Sequence, residues 1–291
     1  MRGVEPFLQT YWDWRAAGNF LCGGAGTGLL LAAVLLAPQG SPWLIILSAL
    51  GLLLVGIGLL CVLAKIGRPM RALRVFLKPK TSWMSREAIL AMPLFLLGLL
   101  GLLLSSRALL IAAALLGLVF LYCQGRILTA SRGIPAWREP LVLPLTMVSG
   151  LAEGVALMLL LTSLTGEPVA LAAWLLGILL VARWYLLRSY QQRMTAHGGS
   201  PQATVEALAI TRRMTDRLGH GLPLAAIVLA LLLPTAQPPL LIIAGISAAS
   251  AGWYFKYSLI TQLAYTQGFS LHRAPARTPG MSSAGTQPGW E

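Results

Sequence analysis

The sequence predicts an all-α integral membrane protein of about eight spans, and three observations carry that expectation. Of its 291 residues, 57% are hydrophobic and only 11% are charged, whereas a soluble domain usually carries about 25% charged residues. The apolar residues gather in eight runs of roughly 20 residues, each long enough to cross about 30 Å of hydrocarbon. The charges, in turn, sort almost completely to one side of those runs. Lipid offers backbone groups no hydrogen-bond partners, so each run must satisfy its own as a helix.

In chain order the expected spans lie near 16–37, 43–64, 88–105, 107–128, 141–163, 168–190, 219–236 and 238–262. They form one transmembrane domain over 1–264, followed by a tail over 265–291. The first span opens behind an aromatic stretch, Trp12 to Arg15, and carries Gly24-x-x-x-Gly28, a spacing that lets helices approach closely in lipid. Pro38 and Pro42 punctuate the turn to the second, which holds Gly51, Gly56 and Gly58. These glycines are packing residues, and Gly23-Gly24-Ala25-Gly26 is not a phosphate loop, because it follows no strand and precedes no lysine. Between Lys65 and Glu87 the chain is polar, with seven basic residues around a Gly-Arg-Pro turn. Ser85 is the expected cap of the third span and Glu87 stands in its first turn.

The third and fourth spans are joined tightly through Ser105, Ser106 and Arg107, while Pro140 and Pro168 precede the fifth and sixth. A long polar connection, 188–218, follows the sixth and echoes the loop after the second. Two four-helix halves are a possible plan, although no residue-level repeat supports it. Within that connection Ser200, Pro201 and Gly219 have the order of cap, first helical residue and stop for a short surface helix. Pro234, Pro238 and Pro239 separate the last two spans. From Arg277 onward the composition is that of a disordered tail, or of one that folds only on a partner.

The connections after spans one, three, five and seven are short and nearly uncharged; those after two, four and six are long and basic. Of the 22 Lys and Arg residues, all but Arg107 lie on the side that also holds both termini. An excess of Lys and Arg marks cytoplasmic loops, so the expectation is a multi-pass protein of the cell inner membrane with both ends cytoplasmic. The net charge of +13 is thereby explained by topology and by attraction to anionic membrane lipid, and no nucleic-acid partner is needed. Cys22, Cys61 and Cys123 sit inside apolar runs without C-x-x-C spacing. An iron–sulfur cluster of the chain's own is not expected, nor is a metal site. Haem is not expected either, because its axial ligands are normally histidines within spans, and His197, His220 and His272 lie in or beside the cytoplasmic connections.

One carboxylate, Glu153, lies about twelve residues into the fifth span and near the midplane. Ionisable groups at that depth are costly and are functional candidates; with no basic residue at its depth in the sequence, a proton path or site-edge role suits it better than a salt bridge. A second set gathers at the cytoplasmic ends of the helices: Trp12, Asp13, Trp14, Arg15 and Asn19 on span one, Lys65 and Arg68 leaving span two, Trp83 and Glu87 opening span three, Gln124 and Arg126 closing span four. Arg183 and Lys256 lie about two turns inside their spans, where snorkelling explains them. The tryptophans also suit an interfacial belt, and Glu87 a helix N-terminal dipole. Together the set fits a quinone head group, which needs donors or acceptors for two carbonyl oxygens, proton carriers near water and an apolar slot for its tail. Lys65 and Asn19 can hold one oxygen, and Glu87 can exchange protons.

The order W-D-W-R-A-A-G-N-F-L-C-G-G-A-G-T-G on span one, K-I-G-R-P-x-R after span two and S-W-M-S-R-E-A at span three resembles the membrane anchors of molybdopterin oxidoreductases, of the NrfD/polysulfide-reductase and DMSO-reductase-anchor types. The likeness covers the eight-helix plan, and its specificity sits in residues 11–28 and 65–88. It implies a subunit without haem or cluster that exchanges electrons between ubiquinone or menaquinone and a four-cluster ferredoxin-like iron–sulfur subunit, itself bridging to a molybdopterin catalytic subunit. By the family pattern the quinone pocket adjoins the loop after span two, so Lys65, Gly67, Arg68 and Glu87 inherit that role, with Asn19 from span one. Many relatives have histidine where this chain has Lys65; a charged lysine cannot accept a hydrogen bond, which puts the quinone contact in question. The cytoplasmic basic face looks most like the anchors of phenylacetyl-CoA:acceptor oxidoreductases, which implies quinone reduction with electrons from a cytoplasmic substrate such as a CoA thioester. Two rival readings remain: a multi-pass transporter, and a structural anchor without a quinone site.

Overall fold

The computed structural model of the protein describes residues 5–38, 40–66, 73–165, 170–196 and 200–268. Eight helices long and apolar enough to cross a membrane are present among them: α1 (Trp14–Leu36), α2 (Pro42–Lys65), α3 (Trp83–Leu103), α4 (Arg107–Thr129), α5 (Val142–Ser163), α6 (Ala170–Ala196), α7 (Gln202–Leu232) and α8 (Gln237–Thr261). Gly67, Arg68 and the tail from 269 lie outside the described residues.

Helix starts follow side-chain capping. Asp13 accepts from Arg15 N at α1, Ser41 from Trp43 N at α2 and Ser106 from Leu109 N at α4. Each satisfies an amide that the helix leaves free. At α3 the cap is Ser82, which accepts from Ser85 N. The expected cap, Ser85, is instead a buried helical residue, because the helix begins five residues earlier than apolarity alone indicates. Arg107, the one cation on the far side, wraps the end of α1: its Nε and Nη2 donate to Val34 O at 3.1 and 2.7 Å. A cation there complements the free carbonyls of the helix C-terminus.

The largest departure from expectation is α7. The surface helix and the seventh span are one continuous helix, and Gly219 does not stop it; a π-helical stretch over Thr215–Gly221 carries the chain through. Pro223 has no N–H to offer the Gly219 carbonyl four residues back, and that oxygen accepts from Arg183 Nη2 at 2.7 Å. Ser200 does not cap the helix either; its hydroxyl lies 3.8 Å from Met194 Sδ, and Pro201 occupies the cap position.

Packing is built around α1, which touches α2, α4, α5 and α8. Gly24 and Gly28 of α1 press against Gly150 and Gly154 of α5 so closely that a Cβ on Gly150 would stand 3.0 Å from Gly24 O. On the other flank of α1, Gly51 and Gly58 of α2 meet Gly26 and Gly23 in the same way. In lipid such backbone approach, and not apolar transfer, drives helix association. Gly56 faces Phe95 at ordinary contact distance. Spans one to four and five to eight thus share the α1–α5 seam.

A collar closes the basic end. Gln9 N donates to Ala264 O and Thr266 N to Phe7 O, at 3.0 and 2.9 Å, joining the two ends of the described chain. Trp137 Nε1 donates to Leu259 O at 2.7 Å and Tyr190 Oη to Ala136 O at 2.8 Å. Trp12 packs on Trp137 within this layer, ring centroids 4.9 Å apart.

Candidate functional site

A cavity of about 690 Å³ opens at the basic end among α1, α2, α3 and the segment Leu73–Leu77. Its walls are apolar (Phe20, Leu59, Leu63, Phe76 and Met84 among them), and its polar groups are few: Asn19, Glu87 and Lys65. Met84, Glu87 and Ala88 fall on one face of α3 by the three- and four-residue spacing of a helix, and that face turns to the cavity. A second, wholly apolar groove of about 380 Å³ shares Leu59, Phe76 and Ala88 with it and continues along α3 past Met92 to Phe95.

The inner end of the cavity is a hydrogen-bonded knot. Asn19 Nδ2 donates to Glu87 Oε1 at 2.9 Å, and Gln124 Nε2 donates to Asn19 O at 3.0 Å. All three side chains are at least nine-tenths buried. Asn19 Oδ1 and Gln124 Oε1 nevertheless have no hydrogen-bond partner. Buried acceptors are normally satisfied, so this knot has acceptor capacity left for a donor entering the cavity. Glu87 therefore sits among neutral amides, and among the described residues no cation is bonded to it.

Lys65 lines the cavity, but its ammonium is committed elsewhere: Nζ lies 3.2 Å from Asp13 Oδ2. Arg15 holds the same carboxylate through Nη2 at 2.8 Å and Nε at 3.1 Å. Hydrogen bonds from Arg15 first, and the Lys65 ammonium second, hold the Asp13 carboxyl well below its ordinary range. Trp83 and Arg126 lie outside the cavity lining, on the α4 side of α3. The Arg86 and Arg126 guanidinium carbons stand 4.1 and 4.9 Å from the Trp83 ring centroid, and Tyr122 meets that ring edge-on. Trp83 precedes Met84 by one position, about 100° around the helix, which turns it from the cavity toward α4.

Glu153 belongs to a separate centre, and the expectation that no basic residue shares its depth is overturned. Lys256 Nζ lies 2.5 Å from Glu153 Oε2 and donates to Phe20 O at 2.8 Å. Lys256 does not snorkel outward; its stem runs inward from α8 and closes the depth difference. Arg183 also turns inward, donating to His220 Nε2, Ala248 O and Gly219 O. Both groups close over Gly252, where a Cβ would stand 2.6 Å from Glu153 Oε1 and 2.7 Å from Arg183 Nη1. His220 is buried, and since Nε2 accepts from Arg183, the proton of the neutral ring is on Nδ1. Nδ1 faces Asp216 Oδ1 at 3.8 Å, and Asp216 in turn pairs with Arg188 at 3.2 Å.

The bond from Gln124 to Asn19 O, the Asp13 clamp and the burial of His220 were not apparent from the sequence. The available signal was the presence of opposite charges in different spans, Glu153 against Arg183 and Lys256, within one side chain's reach in depth.

Residues 23–211 match the family described as DMSO reductase anchor subunit (DmsC). The matched stretch includes Glu87, Gln124, Glu153 and Arg183, while Asn19, His220 and Lys256 flank it. A comparison with curated proteins finds no match.

Proposed function

Because the chain belongs to the DMSO reductase anchor subunit family, we propose that it is the quinone-reactive membrane anchor of a molybdopterin oxidoreductase complex. The observation that carries this reading is the shape and chemistry of the cavity at α1–α3: a buried carboxylate and amide at the inner end, apolar walls, and a groove leading off along α3. A ring with two carbonyl oxygens and a prenyl tail, ubiquinone or menaquinone, has that form. The residues fit the reduced form of the group: Asn19 Oδ1, a buried acceptor without a partner on the cavity wall, suits a quinol hydroxyl donor, and Leu59, Phe76 and Ala88 border both the cavity and its extension.

A bound quinone supplies a two-electron, two-proton couple. The chain's part is to hold the ring, exclude water and manage protons. Glu87 is the proton carrier at the inner end, and Asn19 fixes the orientation of its carboxylate. Lys65, tied to Asp13, shapes the rim. The basic end is the docking face for an iron–sulfur subunit of the four-cluster ferredoxin type, which delivers electrons from a molybdopterin catalytic subunit. The loop charges favour a cytoplasmic position for that face in the inner membrane, and hence a cytoplasmic substrate such as a CoA thioester.

The test uses the chain assembled with its soluble subunits. Glu87→Gln keeps the size of the side chain and removes its proton exchange; quinone-linked turnover is expected to fall about 100-fold or more, with the complex intact and turnover with a soluble acceptor unchanged. Equal quinone-linked turnover in Glu87→Gln and wild type removes the pocket and leaves a structural anchor.

A further inference from the structure

Among the described residues, four side chains that carry formal charge are at least nine-tenths buried within the membrane-spanning helices: Glu87, Glu153, Arg183 and Lys256. His220 joins them as a neutral ring, for the tautomer reason given above. With both carboxylates ionised and both cations protonated, their charges sum to zero. Net charge deep in a bilayer is costly, so protonation of any one of them weighs on the others. Arg183 does not release its proton, and Glu153 is pinned between Arg183 and Lys256. If Glu87 takes up a proton, the buried charge rises to +1, and the group able to cancel it by releasing one is Lys256.

The geometry joins the two. Lys256 Nζ donates to Phe20 O, and the neighbouring residue, Asn19, donates to Glu87. A Cβ on Gly23 would stand 2.5 Å from Gln124 Nε2, and one on Gly24 2.7 Å from Lys256 Nζ, so the Gln124 amide and the Lys256 ammonium rest on adjacent glycines of α1. On the Glu87 side, Asn19 Oδ1 and Gln124 Oε1 are buried acceptors without a partner. Lys256 is faced by Glu153 from α5, Arg183 from α6 and Cys22 from α1. Glu87 is faced by Asn19 from α1, by Gln124 and Cys123 from α4, and across the cavity by Lys65.

We propose that Lys256 is the internal proton partner of Glu87, the two sharing one proton across the Asn19–Phe20 turn of α1 while Glu153 and Arg183 hold fixed counter-charges. In the transfer the ammonium becomes an amine and the carboxylate a carboxylic acid, with no change in total charge. Reduction of a quinone consumes two electrons and two protons: the electrons come from the iron–sulfur subunit, one proton is the one that Lys256 and Glu87 share, and the other, like the proton that refills the pair, enters from water at the rim. Lys256 does not line the cavity and acts through Glu87. The proposal takes from the quinone reading only that Glu87 changes its protonation state.

The charge on Lys256 can be read directly. Four lysines are present, Lys65, Lys78, Lys80 and Lys256; replacing the first three by arginine leaves Lys256 as the single site for isotope-labelled lysine in the full chain in lipid. Its side-chain nitrogen resonance is expected at the ammonium position with Glu87 present, at a pH where carboxylates ionise. In Glu87→Gln, which fixes that position neutral, the resonance is expected to move to the free-amine position. Glu87→Met removes the same charge and gives the same reading if the glutamine variant does not fold. A resonance unmoved by loss of the Glu87 charge overturns the proposal. Turnover assays separately decide the quinone reading: failure there with a moving resonance leaves a coupled pair without a quinone, and an unmoved resonance with lost turnover leaves the pocket without its inner partner.

Discussion

Among the described residues two carboxylates are buried in the span region, and they keep different company. Glu87, at the α1–α3 cavity, is bonded by a neutral amide and borders open space. Glu153, at the α5–α8 centre, is held by an ammonium and sits beside a guanidinium that bonds three acceptors of its own. Burial is nearly equal, 6% and 0% exposed. The difference therefore lies in partners and not in depth. Glu87 touches neutral donors, so its protonation breaks no direct ion pair, whereas protonation of Glu153 would break the contact with Lys256. That contrast favours the exchange role proposed for Glu87 and leaves Glu153 as a paired charge.

The largest effect that sharpens this contrast is on stability. Lys256→Met strands an ionised group in the core, and breaking a buried pair in this way costs about 3–5 kcal/mol. The variant is expected to show a large drop in thermal midpoint in detergent or to be lost before purification. Adding Glu153→Leu to Lys256→Met removes the stranded partner and is expected to recover most of the loss. If the single variant melts with wild type, Glu153 is not an anchored charge and the contrast fails.

At the other carboxylate the same measurement should barely respond. Glu87→Gln preserves an oxygen to accept from Asn19 Nδ2, so the expected cost is about 1 kcal/mol or less. A loss as large as that of Lys256→Met would mean that Lys256 keeps its proton and the charge left by Glu87 stays uncompensated.

The spans were legible because lipid imposes one rule on every one of them: apolar length plus closed backbone hydrogen bonds. The glycine seam on α1 was legible for a related reason, since Gly24 and Gly28 have no role except close approach. What escaped was the direction of long side chains. Lys256 and Arg183 are near enough to helix ends to snorkel, and only the positions of α1, α5 and α8 reveal that they point inward to Glu153, Phe20 and His220. Lys65 is adjacent to the cavity as its place in the chain suggests, yet Asp13, fifty-two positions away, takes its charge. The continuity of α7 was hidden because Gly219 reads as a stop, while a π-helical turn carries the chain through and a donor from another helix satisfies the carbonyl that Pro223 leaves open.

The smallest expected effect tests the rim, where charges are exposed and worth little. Asp13 is gripped by Arg15 and Lys65, with about a third of its side chain exposed. Pairs in such a setting contribute a fraction of a kcal/mol. The sign follows from linkage: the folded protein holds the Asp13 carboxyl below its ordinary range, so the unfolded chain binds the proton more readily. The stabilisation is therefore complete above the unfolded value, about pH 4, and drains away as the pH falls below it. Thermal midpoints of Asp13→Asn and wild type should differ slightly at neutral pH and converge as the medium is made strongly acidic. A gap that widens on acidification would reverse the sign and place the controlling charge elsewhere. A gap at neutral pH as large as that of Lys256→Met would erase the distinction between rim and core, because an ion pair open to water would then weigh as much as one sealed from it.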